Sequence, residues 1–286
     1  MSYCKDSVEE HSKVLNNEEA PLKERFRALF SLRLIKDDES VREISKAFTT
    51  SSVLLKHELA YVLGQMQVES ALPVLADILE NSKENEIVRH EAAEAIATFG
   101  DKKYGSLLEK YSSVEVSNSV AVSETCEIGA SLIASGGAEE SMFGTLDPAP
   151  ASSEEKIEEL RRKYLDTSTS LYGRYAAMFK LRDICTQESV DVLGKGFFCE
   201  NRSDLFEHEI AFVFGQMCHP GAVKYLEQVL EDEKRHEMVR HEAAEALGNI
   251  GTKEAVEILN RHRNSPSRIV RESVEVGLDM TDSRDE

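Results

Sequence analysis

Histidine followed by glutamate occurs at four matched positions in this chain. His57-Glu58 and His90-Glu91 lie 33 residues apart, and His208-Glu209 and His241-Glu242 repeat that spacing. A fifth dipeptide, His236-Glu237, is out of register and is expected at the surface. Imidazole nitrogen and carboxylate oxygen together ligate iron, manganese and zinc in proteins. The repeated spacing therefore predicts two transition-metal sites, each with two imidazoles and a carboxylate.

The spacing does not decide which glutamate of each set binds metal. Successive residues of a helix point about 100° apart, so a histidine and the glutamate beside it face different directions. Either Glu58 or Glu91 can bind metal while the other faces the cavity, and the same choice exists between Glu209 and Glu242. Two histidines and one carboxylate form the facial triad of non-haem Fe(II) oxygen-activating enzymes, and the same donors also suit manganese or zinc.

The histidines lie within an internal duplication. Residues 28–100 align with residues 177–251, first at an offset of 149 and then at 151, because two residues are inserted in the second copy. The eight-residue run at 88–95 recurs unchanged at 239–246. Duplication explains why the four dipeptides keep their spacing, but it gives no reason to retain histidine beside glutamate four times. Metal binding gives that reason.

A segment between the two copies has a different composition. It is rich in Gly, Ser, Pro and acidic residues and has no helical period, which is typical of a linker. The sequence therefore predicts an N-terminal half at 1–135, a flexible acidic linker at 136–153 and a C-terminal half at 154–286.

The elements that must position the dipeptides are helices. Apolar residues recur at three- and four-residue spacing, as in residues 71–79, and equivalent segments follow one another at the period of HEAT-type helical hairpins. We expect an all-α fold, with about four hairpins in each of two duplicated halves that face each other across a metal site. Neighbouring helix axes lie ~8–10 Å apart, so His57 can approach His90, and His208 can approach His241.

Two further features accompany the dipeptides. Arg89 and Arg240 directly precede two of the histidines, and an inter-repeat salt bridge is predicted for each in preference to a role in orienting the carboxylates. A Gly-Gln-Met sequence occurs at 64–66 and again at 215–217. Its glycines are predicted to permit close helix packing.

Composition restricts the class of partner and the compartment. The chain carries 53 acidic and 34 basic residues, a net charge of −19, which repels nucleic acid and anionic membranes and attracts cations. No apolar stretch reaches the ~18 residues of a membrane span, and the first residues lack the apolar core of a signal peptide. Five scattered cysteines are typical of reduced thiols. We expect a cytoplasmic monomer that binds neither nucleic acid nor membrane.

Duplicated HEAT-type repeats with two His-Glu pairs per half resemble the deoxyhypusine hydroxylase (monooxygenase) family. The resemblance implies O2-dependent hydroxylation of the deoxyhypusine side chain on the hypusine-containing translation initiation factor, with O2 as co-substrate and a non-haem di-iron centre of two Fe(2+) per chain. Each iron has two histidines and one glutamate, and the other two glutamates bind substrate amines. By this likeness the first iron is held by His57, His90 and Glu91, the second by His208, His241 and Glu242, and the amines by Glu58 and Glu209.

Two other functions fit the same residues. A non-catalytic HEAT scaffold would bind a protein partner on its concave face and would purify without metal. A two-metal hydrolase would activate water instead of O2 and would hold zinc or manganese. The identity of the bound metal distinguishes these two functions from the hydroxylase.

Overall fold

The computed structural model describes residues 2–199 and 203–282, with side chains described for 7–199 and 203–281. The chain divides into two compact units, unit 1 (Met1–Pro148) and unit 2 (Ala149–Glu286). In the described residues, secondary structure is helical apart from one isolated β-bridge between Glu140 and Leu146. The predicted all-α class is therefore confirmed. No described helix has the length and apolarity needed to cross a membrane.

Unit 1 is a series of helical hairpins. Its helices α2, α4, α6 and α9 are the second helices of four successive hairpins, and α4 packs against α6, which packs against α9. The bounds are α1 (Ser2–Leu15), α2 (Leu22–Ile35), α3 (Asp38–Lys46), α4 (Val53–Met66), α5 (Leu72–Glu80), α6 (Glu86–Thr98), α7 (Gly105–Tyr111), α8 (Val114–Ser117) and α9 (Val120–Ser135).

Unit 2 repeats this arrangement. Its second helices are α11, α13, α15 and α17, and α15 packs between α13 and α17. The bounds are α10 (Ile157–Leu165), α11 (Leu171–Ile184), α12 (Gln187–Lys195), α13 (Asp204–Met217), α14 (Val223–Glu231), α15 (Glu237–Ile250), α16 (Lys253–Arg261) and α17 (Arg268–Asp282).

Side-chain caps fix where the four dipeptide-bearing helices begin. Ser52 accepts a hydrogen bond from the Leu55 N–H at the start of α4, and Ser203 does the same for α13. Asn85 caps α6, and His236 caps α15 through Nδ1. A cap fixes the residue at which a helix begins, and therefore the direction in which each later side chain points. Each predicted ligand histidine lies five residues after its cap. His236, of the fifth dipeptide, thus has a structural role and is half-buried.

Four arginines link the two helices within hairpins. In each case the guanidinium Nε donates to the carbonyl oxygen ten residues earlier, near the end of the preceding helix, where carbonyls lack helical partners. Among the residues that the structure describes, Arg89 and Arg240 bind main-chain carbonyls and form no ion pair, so the salt bridges predicted for them are wrong. The four hydrogen bonds are Arg25 to Leu15 at 2.8 Å, Arg89 to Leu79 at 3.0 Å, Arg174 to Tyr164 at 2.9 Å and Arg240 to Leu230 at 3.1 Å.

Glycines let the second helices approach closely, as predicted. A Cβ atom at Gly64 would lie 2.9 Å from the Cα of Ala95, and one at Gly215 would lie 3.3 Å from the Cα of Ala246. A side chain at Gly64 would push α4 from α6, and one at Gly215 would make a tight contact between α13 and α15. These contacts therefore set the distance across which the histidines of each unit meet.

The predicted linker, 136–153, contains no helix. The boundary between the units falls within it, after Pro148. Gln65 binds this segment through both ends of its side-chain amide: Nε2 donates to the Leu146 carbonyl at 3.2 Å, and Oε1 accepts from the Leu146 N–H at 2.9 Å. Part of the segment is thus fixed to unit 1, and its flexibility stays a prediction.

Candidate metal centres

Unit 1 brings together three of the predicted ligands. His57 on α4 faces His90 and Glu91 on α6, with 3.2 Å between His57 Nε2 and Glu91 Oε2. The centroids of the two imidazole rings are 5.5 Å apart, and a ring nitrogen of each lies within 4.8 Å of the other. All three residues are buried, and His90 has no exposed surface. The two histidines and the glutamate therefore form one compact set.

Unit 2 contains the equivalent set. A ring nitrogen of His208, one of His241 and a carboxylate oxygen of Glu242 all lie within 4.8 Å of one another. His208 Nε2 is 3.4 Å from Glu242 Oε2, and the ring centroids are again 5.5 Å apart. Each unit thus assembles a His-His-Glu set, and the glutamate in each set is the one on the second of the two helices.

The other two glutamates are also buried. Glu58 is 7% exposed and Glu209 is 2% exposed. Neither belongs to a three-residue group with metal-binding geometry among the described residues. Their burial beside the histidines is compatible with the predicted amine-binding role, which stays a prediction.

A further carboxylate in each unit was missed by the sequence reasoning. Glu245 Oε1 lies 3.4 Å from His241 Nδ1 and accepts a 2.9 Å hydrogen bond from Ser273 Oγ on α17. Its equivalent, Glu94, has a carboxylate oxygen within 4.8 Å of atoms of His90 and Glu91. The signal was present, because both glutamates stand four residues after a histidine, where side chains share a helix face.

The donor atoms suit a metal ion. Transition-metal ions such as zinc bind nitrogen and oxygen ligands at about 2 Å, so two ligand atoms of one ion lie about 3–4 Å from each other. The His57–Glu91 and His208–Glu242 distances fall in this range. Burial of carboxylates away from water costs free energy, and a divalent cation would offset that cost.

An ion pair beside each set has opposite polarity in the two units. Lys56, which precedes His57, binds Glu84 at 2.8 Å. In unit 2 the corresponding residues are Glu207, which precedes His208, and Arg235, and they also form an ion pair. The unit 2 pair is more deeply buried, with side chains 2% and 4% exposed, whereas those of the unit 1 pair are 17–18% exposed.

Arg235→Ala is expected to lower the free energy of unfolding by about 3–5 kcal/mol, because it leaves the Glu207 carboxylate buried without its cation. Glu84→Ala should cost only about 1 kcal/mol, since Lys56 is closer to solvent. Urea unfolding of both variants measures the difference. A double variant, Glu207→Lys with Arg235→Glu, should recover part of the loss. Equal destabilisation by the two single variants would contradict this interpretation.

Helical hairpins that carry two buried His-His-Glu sets define a HEAT-type repeat protein with two candidate metal centres. The HEAT repeat family model matches residues 12–97, 44–117 and 198–279. The chain is 45% identical to deoxyhypusine hydroxylase of Drosophila melanogaster over 93% of this chain and 89% of that protein. It is 42% identical to deoxyhypusine hydroxylase of Homo sapiens over 91% of this chain and 86% of that protein. The structure of human deoxyhypusine hydroxylase in complex with glycerol matches with a TM-score of 0.94, at 40% identity, covering 99% of this chain and 98% of that one.

The chain therefore belongs to the deoxyhypusine hydroxylase family. The predicted family, the HEAT-type fold and the assignment as an enzyme are confirmed by these comparisons. Membership in a hydroxylase family, together with the two donor sets, indicates a metal cofactor.

Proposed function

We propose that this chain hydroxylates the deoxyhypusine side chain of the hypusine-containing translation initiation factor, with O2 as co-substrate and two Fe(2+) per chain. One ion would be held by His57, His90 and Glu91. The other would be held by the unit 2 set, His208, His241 and Glu242. The observation that carries the proposal is the recurrence of a buried His-His-Glu set in each unit of a chain from this family.

Each set has the composition that oxygen chemistry requires. Two imidazoles and one carboxylate leave coordination positions open, and bound Fe(II) would supply the activation of O2. Burial of the ligands, with His90 and His241 fully enclosed, keeps bulk water from the side of each centre that the helices cover. The close packing at Gly64 and Gly215 keeps the ligand-bearing helices at a fixed distance. The protein thus supplies a rigid donor set of three ligands, which leaves coordination positions on the metal for ligands from outside the protein.

Glu58 and Glu209 are suited to orienting the substrate. Deoxyhypusine is a long cation with amine nitrogens, and a carboxylate forms short, charge-assisted hydrogen bonds with an amine. Each glutamate directly follows a ligand histidine, so a bound amine would keep the neighbouring carbon close to the metal. The net charge of −19 would also attract a cationic side chain.

Glu58→Gln and Glu209→Gln are therefore expected to keep both metal ions and to weaken substrate binding. Loss of one charge-assisted hydrogen bond should raise KM about tenfold or more. Metal analysis and steady-state kinetics on the same preparations measure the two effects separately. Loss of metal in either variant would show that the two glutamates of that unit have exchanged roles.

Glu245→Gln should weaken metal binding in unit 2. A carboxylate at His241 Nδ1 favours the tautomer with the proton on Nδ1, which leaves Nε2 as the ligating nitrogen. Ser273 holds that carboxylate in place. Loss of such an outer-shell partner costs about 10- to 100-fold in metal affinity, measurable by titration with Co(II). Ser273→Ala should have a smaller effect and Ser273→Thr almost none. Unchanged affinity in Glu245→Gln would exclude this role.

The experiment that tests the proposed function is single turnover on the substrate protein. The Fe(II)-loaded chain, given the deoxyhypusine form of the factor and isotopically labelled O2, should add one labelled oxygen atom to the modified side chain. Mass spectrometry of the peptide detects the label. An anaerobic reaction is the control and should show no change. Incorporation of oxygen from water instead of O2, or no incorporation by iron-loaded protein, would refute the proposal.

A further inference from the structure

Unit 1 contains a cleft of about 620 Å³ away from the metal ligands. It lies between the end of α2, the end of α4 and the segment that follows α9. Leu34 at this cleft is 85% exposed, an unusual state for a large apolar side chain in this protein. The residues that line the cleft are Phe30, Arg33, Leu34, Lys36, Gln65, Gln67, Glu140, Gly144 and Leu146.

The arginine at the equivalent position of unit 2 is buried. Arg182, the equivalent of Arg33, is 1% exposed. Its Nη1 donates to Gln216 Oε1 at 2.8 Å, and its Nη2 lies 2.9 Å from Asp183 Oδ1. The guanidinium also lies over the ring of Phe179, 4.8 Å from its centroid. An amide, a carboxylate and an aromatic ring of the same unit therefore satisfy this cation.

In unit 1 the same arginine lacks both polar partners. The equivalent of Gln216 is Gln65, whose amide oxygen and nitrogen are both used by the backbone of Leu146. The equivalent of Asp183 is Leu34, which has no carboxylate. Within the described residues, Arg33 makes no hydrogen bond or ion pair, and its guanidinium contacts the Tyr61 ring at 5.7 Å. A guanidinium with its donors available thus lines an open cleft.

The cleft is also more positive than its counterpart. Besides Leu34 in place of Asp183, it has Lys36 where unit 2 has Cys185, so the site gains two units of positive charge. Glu140 is the one acidic residue in its lining. On a chain with a net charge of −19, such a local excess of cations favours an anionic ligand. A planar guanidinium binds a carboxylate through two parallel hydrogen bonds.

We propose that this cleft is a docking site for a partner protein segment that carries a carboxylate beside an apolar side chain. The carboxylate would bind Arg33 as Asp183 binds Arg182, and Lys36 would add a second cation. The apolar side chain would cover Leu34, which is exposed, and Phe30, which is half-buried. A volume of about 620 Å³ is within the range of specific ligand sites and accommodates a few residues of an extended peptide.

Comparison of the two copies suggests a variant in which a carboxylate of the chain itself occupies the proposed binding site. Leu34→Asp supplies the carboxylate that unit 2 has at this position, so Arg33 would gain an internal partner and the apolar contact would be lost. Arg33→Gln removes the cation instead. Arg27→Gln, on the same helix but outside the cleft, makes the same charge change and serves as the matched control. All three are tested in the full chain, with circular dichroism to confirm folding.

The probe is a peptide library in which one Glu is flanked by Leu, Ile, Val or Phe, with a second library that has Gln in its place. The wild type and Arg27→Gln should enrich members of the Glu library, and fluorescence anisotropy with the best member should show about tenfold or greater weakening in Arg33→Gln and Leu34→Asp. The Leu146 amide resonance should shift on binding.

Three results would overturn the proposal. Equal enrichment from the Glu and Gln libraries, or no enrichment from either library, would show that the carboxylate does not direct binding. Displacement of the peptide by an equal concentration of acetate or phosphate would reduce the site to one for small anions. Self-association of the wild type that Leu34→Asp abolishes would assign the cleft to a second copy of the chain.

Discussion

His241→Ala is expected to reduce bound metal from two ions per chain to one and to abolish hydroxylation. The imidazole is fully buried and lies in a group with His208 and Glu242, so the substitution removes one nitrogen ligand from the set. Loss of an outer-shell partner already costs up to about 100-fold in metal affinity, and loss of a ligand should cost more. His90→Ala should have the same effect on the metal of unit 1.

His236→Ala provides a matched control. This histidine also precedes a glutamate, and it caps the N-terminus of α15, the helix that carries His241, through Nδ1. It is outside the metal set. Its loss should cost about 1 kcal/mol of stability and no metal. Metal content by mass spectrometry and product formation are measured on all three variants. Two ions in His241→Ala, or one ion in His236→Ala, would contradict the assignment of ligands.

Much of the fold and the approach of the histidines could be predicted because they follow from local periodicity and duplication. Apolar spacing predicts helices, and repetition predicts that equivalent helices pack in register. Given these two rules, His57 and His90 had to lie on neighbouring helices, as they do at a ring separation of 5.5 Å. The N-caps contribute as well, since each ligand histidine lies five residues after a capping side chain.

What could not be predicted depends on contacts that form only when the helices pack against one another. The sequence does not show that Arg89 binds a main-chain carbonyl, because a carbonyl carries no sequence signal. Nor does the sequence show that Lys56 pairs with Glu84, because the two residues meet only when α4 packs against the loop between α5 and α6. The choice between Glu58 and Glu91 is of the same kind: helix geometry separates their directions, but only the packing of α4 on α6 decides which one faces His57.

Removal of metal with a chelator is expected to abolish hydroxylation and to lower the unfolding temperature. A ligand present at about 100 times its dissociation constant stabilises the folded state by about 2.7 kcal/mol, which corresponds to several degrees in a chain of this size. Fe(II) should restore both stability and turnover. Zn(II) should restore stability alone, because it accepts the same nitrogen and oxygen donors but undergoes no redox change.

Calorimetry and the oxygen-incorporation assay, applied to the same four preparations (native, stripped, iron-loaded and zinc-loaded), separate the three functions that fit the sequence. A scaffold would show equal stability in all four. A hydrolase would be active with zinc, whereas a hydroxylase requires iron and O2 together. The zinc-loaded protein is the decisive sample, because it keeps the buried carboxylates of Glu91 and Glu242 compensated while it removes only the redox chemistry. Stable and inactive zinc protein would therefore place the activity in the iron, and not in the fold that the metal supports.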